Sequence, residues 1–189
     1  MTYKLEDAAG NRLFDGLFLD YCSPLVAWAG VGDADSDEVR LKHFREMVEA
    51  IRAVRGREFT ITGNGTGAEL LRLDGIMREG FPGTLTSVEQ ALTLKPGDWL
   101  KCETTNASIA RYTLGVALLT GATAAIGNNR STTRSEHEGA FWLPQFDLKL
   151  GEPLGPAGEP SNGVQVRAFD KGWIAVDHVR RDTTFHGGK

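Results

Sequence analysis

The sequence has few of the features that mark several large protein classes. Its 189 residues include only two cysteines, Cys22 and Cys102, which form neither a disulfide framework nor a zinc-binding pattern. We expect both to be free thiols in or near the core. No apolar run reaches the roughly 18 residues of a membrane-spanning helix. The charged residues that closely follow Met1 also differ from the start of a secretory signal.

Clustered positive charge and phosphate-binding loops are missing as well. The formal net charge is −4 and the pI is near 5.6, whereas nucleic-acid binding needs clustered Lys and Arg. No Gly-x-Gly-x-x-Gly turn follows a predicted strand, and no Gly-Lys-Ser/Thr loop is present. The fragment Glu136-His137-Glu138 has no second spaced histidine. The sequence therefore predicts no nucleic-acid partner, no membrane partner, no cofactor and no metal site.

What the sequence does contain is an alternation of short β-rich runs with helical segments. Strands are predicted over Leu17–Asp20, Phe59–Thr62, Gly75–Arg78, Leu100–Glu103 and Thr123–Ile126. Helices are predicted from Ser36 or Asp37 to Arg55, and over Ala68–Arg72, Thr84–Leu94, Ala107–Thr120 and Arg134–Phe141. Helical crossovers join parallel strands. The prediction is an α/β fold with about five parallel strands and outer helices, in a barrel or an open doubly wound sheet.

The C-terminal part of the chain follows a different pattern. Residues 150–163 are rich in glycine and proline, and the runs Val164–Phe169 and Trp173–Val176 flank Asp170-Lys171-Gly172. This arrangement predicts a β-hairpin with a glycine in the left-handed conformation. The tail that ends in His186-Gly187-Gly188-Lys189 is predicted to be frayed.

Polar residues at the ends of the predicted strands are the candidate site, because parallel sheets and barrels keep their sites there. They are three carboxylates and two amides: Asp20, Asn64, Glu79, Glu103 and Asn128. Cleaving a glycosidic bond needs one carboxyl group as acid and another as nucleophile or base. Aromatic residues that could stack on sugar rings follow two of these strands: Tyr21, Trp28 and Phe81.

The two leading carboxylates also have structural explanations. Asp20 can cap the turn that follows it, although a carboxylate after so apolar a strand as Leu17-Phe18-Leu19 is costly unless it is paired or used. Glu79 can form an ion pair with Arg78 or Lys101. For both residues the sequence leaves the catalytic and the structural role open.

For the other three strand-end residues a structural role is favoured. Glu103 is expected to be ion-paired or plainly exposed. Asn64 and Asn128 lie beside glycines, where asparagine typically forms turns. These three enter the prediction as substrate-binding residues, together with Tyr21 and Trp28.

Several segments resemble a known family. Asp15-Gly16-Leu17-Phe18-Leu19-Asp20 resembles the fourth-strand motif of glycoside hydrolases with α-galactosidase-like (β/α) barrels, related to endo-polygalactosaminidases. Residues 74–80 resemble the sixth-strand motif of that group, in which a carboxylate ends the strand, and residues 150–156 and 163–176 are similar to its closing segment. The resemblance implies cleavage of a polysaccharide with Asp20 as nucleophile or base and Glu79 as general acid. It also suggests an extracellular or periplasmic location.

The resemblance assigns these units to strands four to eight of an eight-stranded barrel. Such a barrel needs all eight strands to close. We therefore expect a partial (β/α)₈ TIM barrel over residues 1–149, with a C-terminal β-hairpin extension over residues 150–189 packed on it. Unpaired strand edges favour association, so we expect self-association or completion of the barrel by a missing N-terminal portion.

Two other functions stay open at this point. A protein derived from a truncated hydrolase can act as a non-catalytic carbohydrate-binding or structural protein. Sugar bound across Trp28, with Asp20 and Glu79 pointing apart, would favour this. An aldolase or a phosphate-handling isomerase on the same fold is the other alternative, with Lys101 in mid-strand as the only candidate for a Schiff base. The preferred prediction is a glycosidase that takes a carbohydrate substrate.

Overall fold

Five short strands separated along the chain form the first sheet of the protein. The computed structural model describes residues 14–20, 37–64, 71–82, 93–104, 106–127 and 142–188. The strands are β1 (Gly16–Leu19), β2 (Thr60–Asn64), β3 (Gly75–Arg78), β4 (Trp99–Glu103) and β5 (Thr123–Gly127). The pairs β1–β2, β2–β3 and β4–β5 are parallel, and the strand order in the sheet is that of the chain. This confirms the predicted α/β fold.

The strand β2 is longer than its sequence predicted. It was expected to end at Thr62, but it continues to Asn64. Gly63 pairs with Leu19 of β1 on one side and with Ile76 of β3 on the other. Two parallel neighbours therefore hold a glycine and an asparagine in the extended conformation, although their propensities favour a turn.

The chain divides into two compact units, residues 1–77 and 78–189. In the first unit, α1 (Asp37–Arg55) agrees with the predicted helix and is followed by Gly56 at φ 88°. Val48 of this helix packs in a core with these other buried side chains: Phe59, Ile61, Leu71, Leu73 and Ile76. Arg52 Nη2 donates a hydrogen bond to Asp74 Oδ1 at 2.9 Å, just before β3. This contact ties the end of the helix to the start of the strand.

The second unit contains α2 (Ala107–Thr120), which has the predicted bounds. Asn106 caps it, because Asn106 Oδ1 accepts hydrogen bonds from the backbone N–H groups of Ser108 and Ile109 at 2.9 and 3.3 Å. Gly121 ends it at φ 79°. Cys102 of β4 is a buried free thiol, as predicted, and burial raises its pKa. None of the helices among the described residues has both the length and the apolar character to cross a membrane.

A separate antiparallel sheet follows, with β6 (Val164–Phe169), β7 (Gly172–Asp177) and β8 (Asp182–Gly187). The hairpin of β6 and β7 was predicted, but its glycine in the left-handed conformation was wrong, because Gly172 has no positive φ and is the first residue of β7. The frayed tail was also wrong, because His186 and Gly187 belong to β8 and Gly188 forms a bridge with Lys149. Residues 182–187 are largely polar, and they become ordered through backbone pairing with β7. The predicted helices at 84–94 and 134–141 fall mainly or wholly outside the described residues.

The contact between α2 and β8 gives a testable prediction about stability. A Cβ atom added to Gly115 would lie 2.8 Å from the Cβ of Thr183, whose side chain is buried. Such overpacking costs about 1–3 kcal/mol, so Gly115→Val should lower the free energy of unfolding by about that amount in urea. The matched control is Gly155→Val, since a Cβ there has no neighbour within 4 Å. Equal stability of the two variants would contradict this packing.

Candidate active site

In the first unit the structure brings together two of the predicted strand-end residues. Asp20 directly follows β1, and Asn64 is the last residue of β2. The register pairs Leu19 with Gly63, so the next residue of each strand lies beside the other. Asn64 Nδ2 donates a hydrogen bond to Asp20 Oδ1 at 3.0 Å. The Asp20 carboxylate is therefore held at the strand end by a neutral amide donor.

In the second unit a lysine joins two further strand-end carboxylates. Lys101 Nζ lies 2.6 Å from Glu79 Oε1 and 3.0 Å from Glu103 Oε1. Lys101 and Glu103 are two residues apart on β4, so their side chains leave the same face of the strand. Glu79 follows the last residue of β3. We call these three residues the Lys101 cluster.

The charges of the Lys101 cluster decide what its lysine can do. The hydrogen bond to Glu79 raises the pKa of Lys101, the one to Glu103 adds to this, and partial burial opposes it. Lys101 is therefore an ammonium at neutral pH. A Schiff base needs the neutral amine, so this arrangement disfavours the aldolase alternative. A single positive charge faces two carboxylates, which leaves the ionised cluster with one net negative charge.

Phe81, two residues after Glu79, is not available to a sugar. Its side chain is only 2% exposed. Its ring stacks on that of Tyr112 in α2, with 5.7 Å between centroids and an interplanar angle of 14°. The expectation that Phe81 stacks on substrate is therefore wrong, because the ring belongs to the core of the second unit. It anchors the segment that follows Glu79.

Behind Phe81 lies a buried polar network that the sequence did not reveal. Tyr112 Oη is 3.0 Å from His178 Nδ1, and His178 Nε2 is 3.3 Å from Gln165 Oε1. Gln165 Nε2 donates to the carbonyl of Gly158 at 2.9 Å, so Gln165 Oε1 is the acceptor for His178. His178 therefore carries its proton on Nε2 and accepts from the tyrosine hydroxyl at Nδ1. A single histidine between Asp177 and Val179 carries no sequence signal for such a network.

The network predicts how stability changes with pH. Burial lowers the pKa of His178 from its ordinary value of 6.5, while Asp177 opposes the shift, and burial raises the pKa of Tyr112, with Arg181 opposing. The unfolded chain therefore takes up the proton more readily than the folded one. The contribution of neutral His178 to stability is complete above pH 6.5 and is lost as the pH falls below that value.

Urea unfolding of the parent chain between pH 7.5 and pH 5 tests this expectation, with pH values chosen on either side of about 6.5. His178→Gln should be less stable at pH 7.5 and should lose less stability on acidification than the parent. The control is His43→Gln on an exposed position of α1. Parallel pH profiles for the parent and His178→Gln would exclude His178 as the group that titrates.

Residues 7–173 match hypothetical glycosyl hydrolase family 15. The chain belongs to this family. The match extends from before β1 into β7 and contains Asp20, Asn64 and the whole Lys101 cluster. Comparison with curated proteins gives no match. Membership of a glycosyl hydrolase family agrees with the resemblance found in the sequence, while the relation to endo-polygalactosaminidases and the partial barrel stay predictions.

Three of the predicted substrate-binding residues cannot be assigned a position. Tyr21, Trp28 and Asn128 lie outside the described residues, so their contacts with sugar stay predictions. Among the described part of the chain, no group of three His, Cys, Asp or Glu side chains converges in a way suited to a metal ion. The functional groups at the described strand ends of this family member are carboxylates, one amide and one ammonium.

Proposed function

We propose that this chain hydrolyses a glycosidic bond of a polysaccharide, with Asp20 as nucleophile or base and Glu79 as general acid. The observation that carries the proposal is the family match, which includes both residues. Local geometry supports it, because each carboxylate stands at the end of a parallel strand and each is held by a nitrogen donor. That donor is the Asn64 amide for Asp20 and the Lys101 ammonium for Glu79.

The two donors suit two different roles. An amide donor can orient the Asp20 carboxylate toward the sugar carbon that it attacks or toward the water molecule that it activates. The general acid must carry a proton when the glycosidic bond breaks, and a nearby ammonium opposes that protonation. We therefore propose that the reaction runs fastest on the acidic side of neutrality.

The mechanism makes a geometric demand on the bound state. The carboxyl groups of Asp20 and Glu79 must face one substrate, about 5–5.5 Å apart for retention of configuration or about 6.5–9.5 Å apart for inversion. The stereochemistry of the first product, measured by NMR, distinguishes the two cases. Asn64 and Glu103, with Tyr21, Trp28 and Asn128, are proposed to bind hydroxyl groups and ring faces of the sugar.

The test is hydrolysis of a panel of polysaccharides by the purified chain, measured as the release of reducing ends. The assay runs from about pH 4 to about pH 8, because carboxyl groups with ordinary or raised pKa values titrate in this range. The proposal expects turnover of at least one polysaccharide, and loss of that turnover in the double variant Asp20→Asn/Glu79→Gln. Binding without cleavage by the parent chain would instead favour a non-catalytic carbohydrate-binding protein.

A further inference from the structure

The position of Lys101 on β4 separates it from the core. Leu100 and Cys102 on either side of it are 0% and 1% exposed. The side chain of Lys101 leaves the opposite face and is 34% exposed, beside Glu79 and Glu103 at 49% and 37%. Packing alone does not explain why the ammonium of Lys101 contacts two carboxylates at the carboxyl ends of the strands.

The two carboxylate partners of Lys101 lie at different distances from its ammonium. The contact of Lys101 Nζ with Glu79 is 2.6 Å, and that with Glu103 is 3.0 Å. Charge-assisted hydrogen bonds of this kind are the stronger ones, and the shorter is formed with Glu79. Because the ammonium has a second acceptor within reach, it can keep a charged partner when Glu79 becomes protonated.

We propose that Lys101 is the positioning residue of Glu79: its ammonium holds the Glu79 carboxyl group in place and, with Glu103 as its second partner, sets the pH range over which Glu79 carries a proton. The inference rests on the proposed function and assigns Lys101 and Glu103 their part in it. Lys101 acts through Glu79 and does not itself exchange a proton with substrate.

The proton step is then balanced as follows. Protonated Glu79 gives its proton to the glycosidic oxygen, so one O–H bond breaks and another forms. The C–O bond of the glycoside breaks, and its electron pair goes to the leaving oxygen, which departs as a hydroxyl group. The sugar carbon forms its new bond to the Asp20 carboxylate, or to a water molecule whose proton Asp20 takes. Glu79 is left as a carboxylate, which the Lys101 ammonium stabilises through its shorter contact.

The direct test follows the carboxyl carbon of Glu79 by NMR during a pH titration of the full chain labelled at glutamate. Lys101→Met removes the ammonium, so Glu79 should titrate at higher pH than in the parent. Lys101→Arg is the matched control, because it keeps the positive charge and should leave the titration near that of the parent. An unchanged titration of Glu79 in Lys101→Met would overturn the proposal.

Glu103→Gln should shift the same titration in the opposite direction. It removes a carboxylate that repels ionised Glu79 and leaves the ammonium with one charged partner, so Glu79 should titrate at lower pH. If Lys101→Met does not fold, the parent chain and Glu79→Gln still decide the matter. Loss of the Glu79 carboxylate should lower the pKa of Lys101, and an unchanged lysine titration would contradict the pairing.

The pH profile of hydrolysis gives a second readout that a purely structural role would not move. The pKa of the general acid sets the pH at which the rate falls on the basic limb of this profile. The limb should move to higher pH in Lys101→Met and stay in place in Lys101→Arg. A loss of rate with the basic limb unmoved in Lys101→Met would overturn the control of the Glu79 proton by Lys101. If the parent cleaves nothing while the NMR shifts occur as expected, the proposed function fails and the control of Glu79 by Lys101 is retained.

Discussion

Replacing Glu79 by glutamine should lower kcat on a polysaccharide by about 10²–10⁴-fold, the usual contribution of a general acid. The substitution keeps the shape of the side chain and removes the proton that the leaving oxygen needs. The loss should be much smaller on an aryl glycoside with a strongly acidic phenol as leaving group, because that phenolate departs without protonation. This dependence on the leaving group is the specific signature of the acid.

Asp20→Asn should behave differently in the same two assays. A nucleophile or base is needed whatever the leaving group is, so both the polysaccharide and the aryl glycoside should lose turnover. The matched control for both variants is Glu46→Gln, since Glu46 is an exposed carboxylate of α1 with 60% side-chain exposure. If Glu79→Gln loses activity equally on both substrates, Glu79 is not the acid. Parent rates in both variants would remove the catalytic assignment altogether.

Replacing Phe81 by alanine should lower the free energy of unfolding by about 3–5 kcal/mol, the usual cost of deleting a buried aromatic ring. The ring is 2% exposed and stacks on Tyr112, so its removal leaves a cavity and also removes the stacking contact of Tyr112. Chemical unfolding of the purified variant measures the change. We expect this to be the largest effect on stability among the substitutions considered.

Phe14→Ala is the matched control for that experiment. The Phe14 side chain is 57% exposed, and substitutions at exposed positions usually change stability by less than about 0.5 kcal/mol. A small effect at both positions would mean that Phe81 does not belong to the core. A large effect at both would contradict the exposure of Phe14.

The fold of the described strands follows closely from local patterns. Gly75–Arg78 has the predicted bounds, and the other strands of the parallel sheet differ from prediction by one or two residues. Helix α2 also has its predicted bounds, because Asn106 and Gly121 mark its ends by their own chemistry. Elements whose ends carry such signals can be predicted from sequence alone.

The candidate site was predictable only in part. Parallel strands bring their carboxyl ends to one edge of a sheet, which is why Asp20, Glu79 and Glu103 could be named from sequence. The pairing of Asp20 with Asn64 depends on register, and the pairing of Glu79 with Lys101 depends on which strands are neighbours. Neither the register of a strand nor the identity of its neighbours in the sheet can be predicted from the sequence of that strand alone.

The sequence by itself therefore determined the class of fold, the helix caps and the carboxylates that end the strands, because each of these depends on residues close together in the chain. Tertiary structure decided that Phe81 is buried, that residues 182–187 form β8, and that Tyr112, His178 and Gln165 form one network. These features join residues far apart in the chain. Their free energy comes from burial and pairing that exist only once the chain has folded.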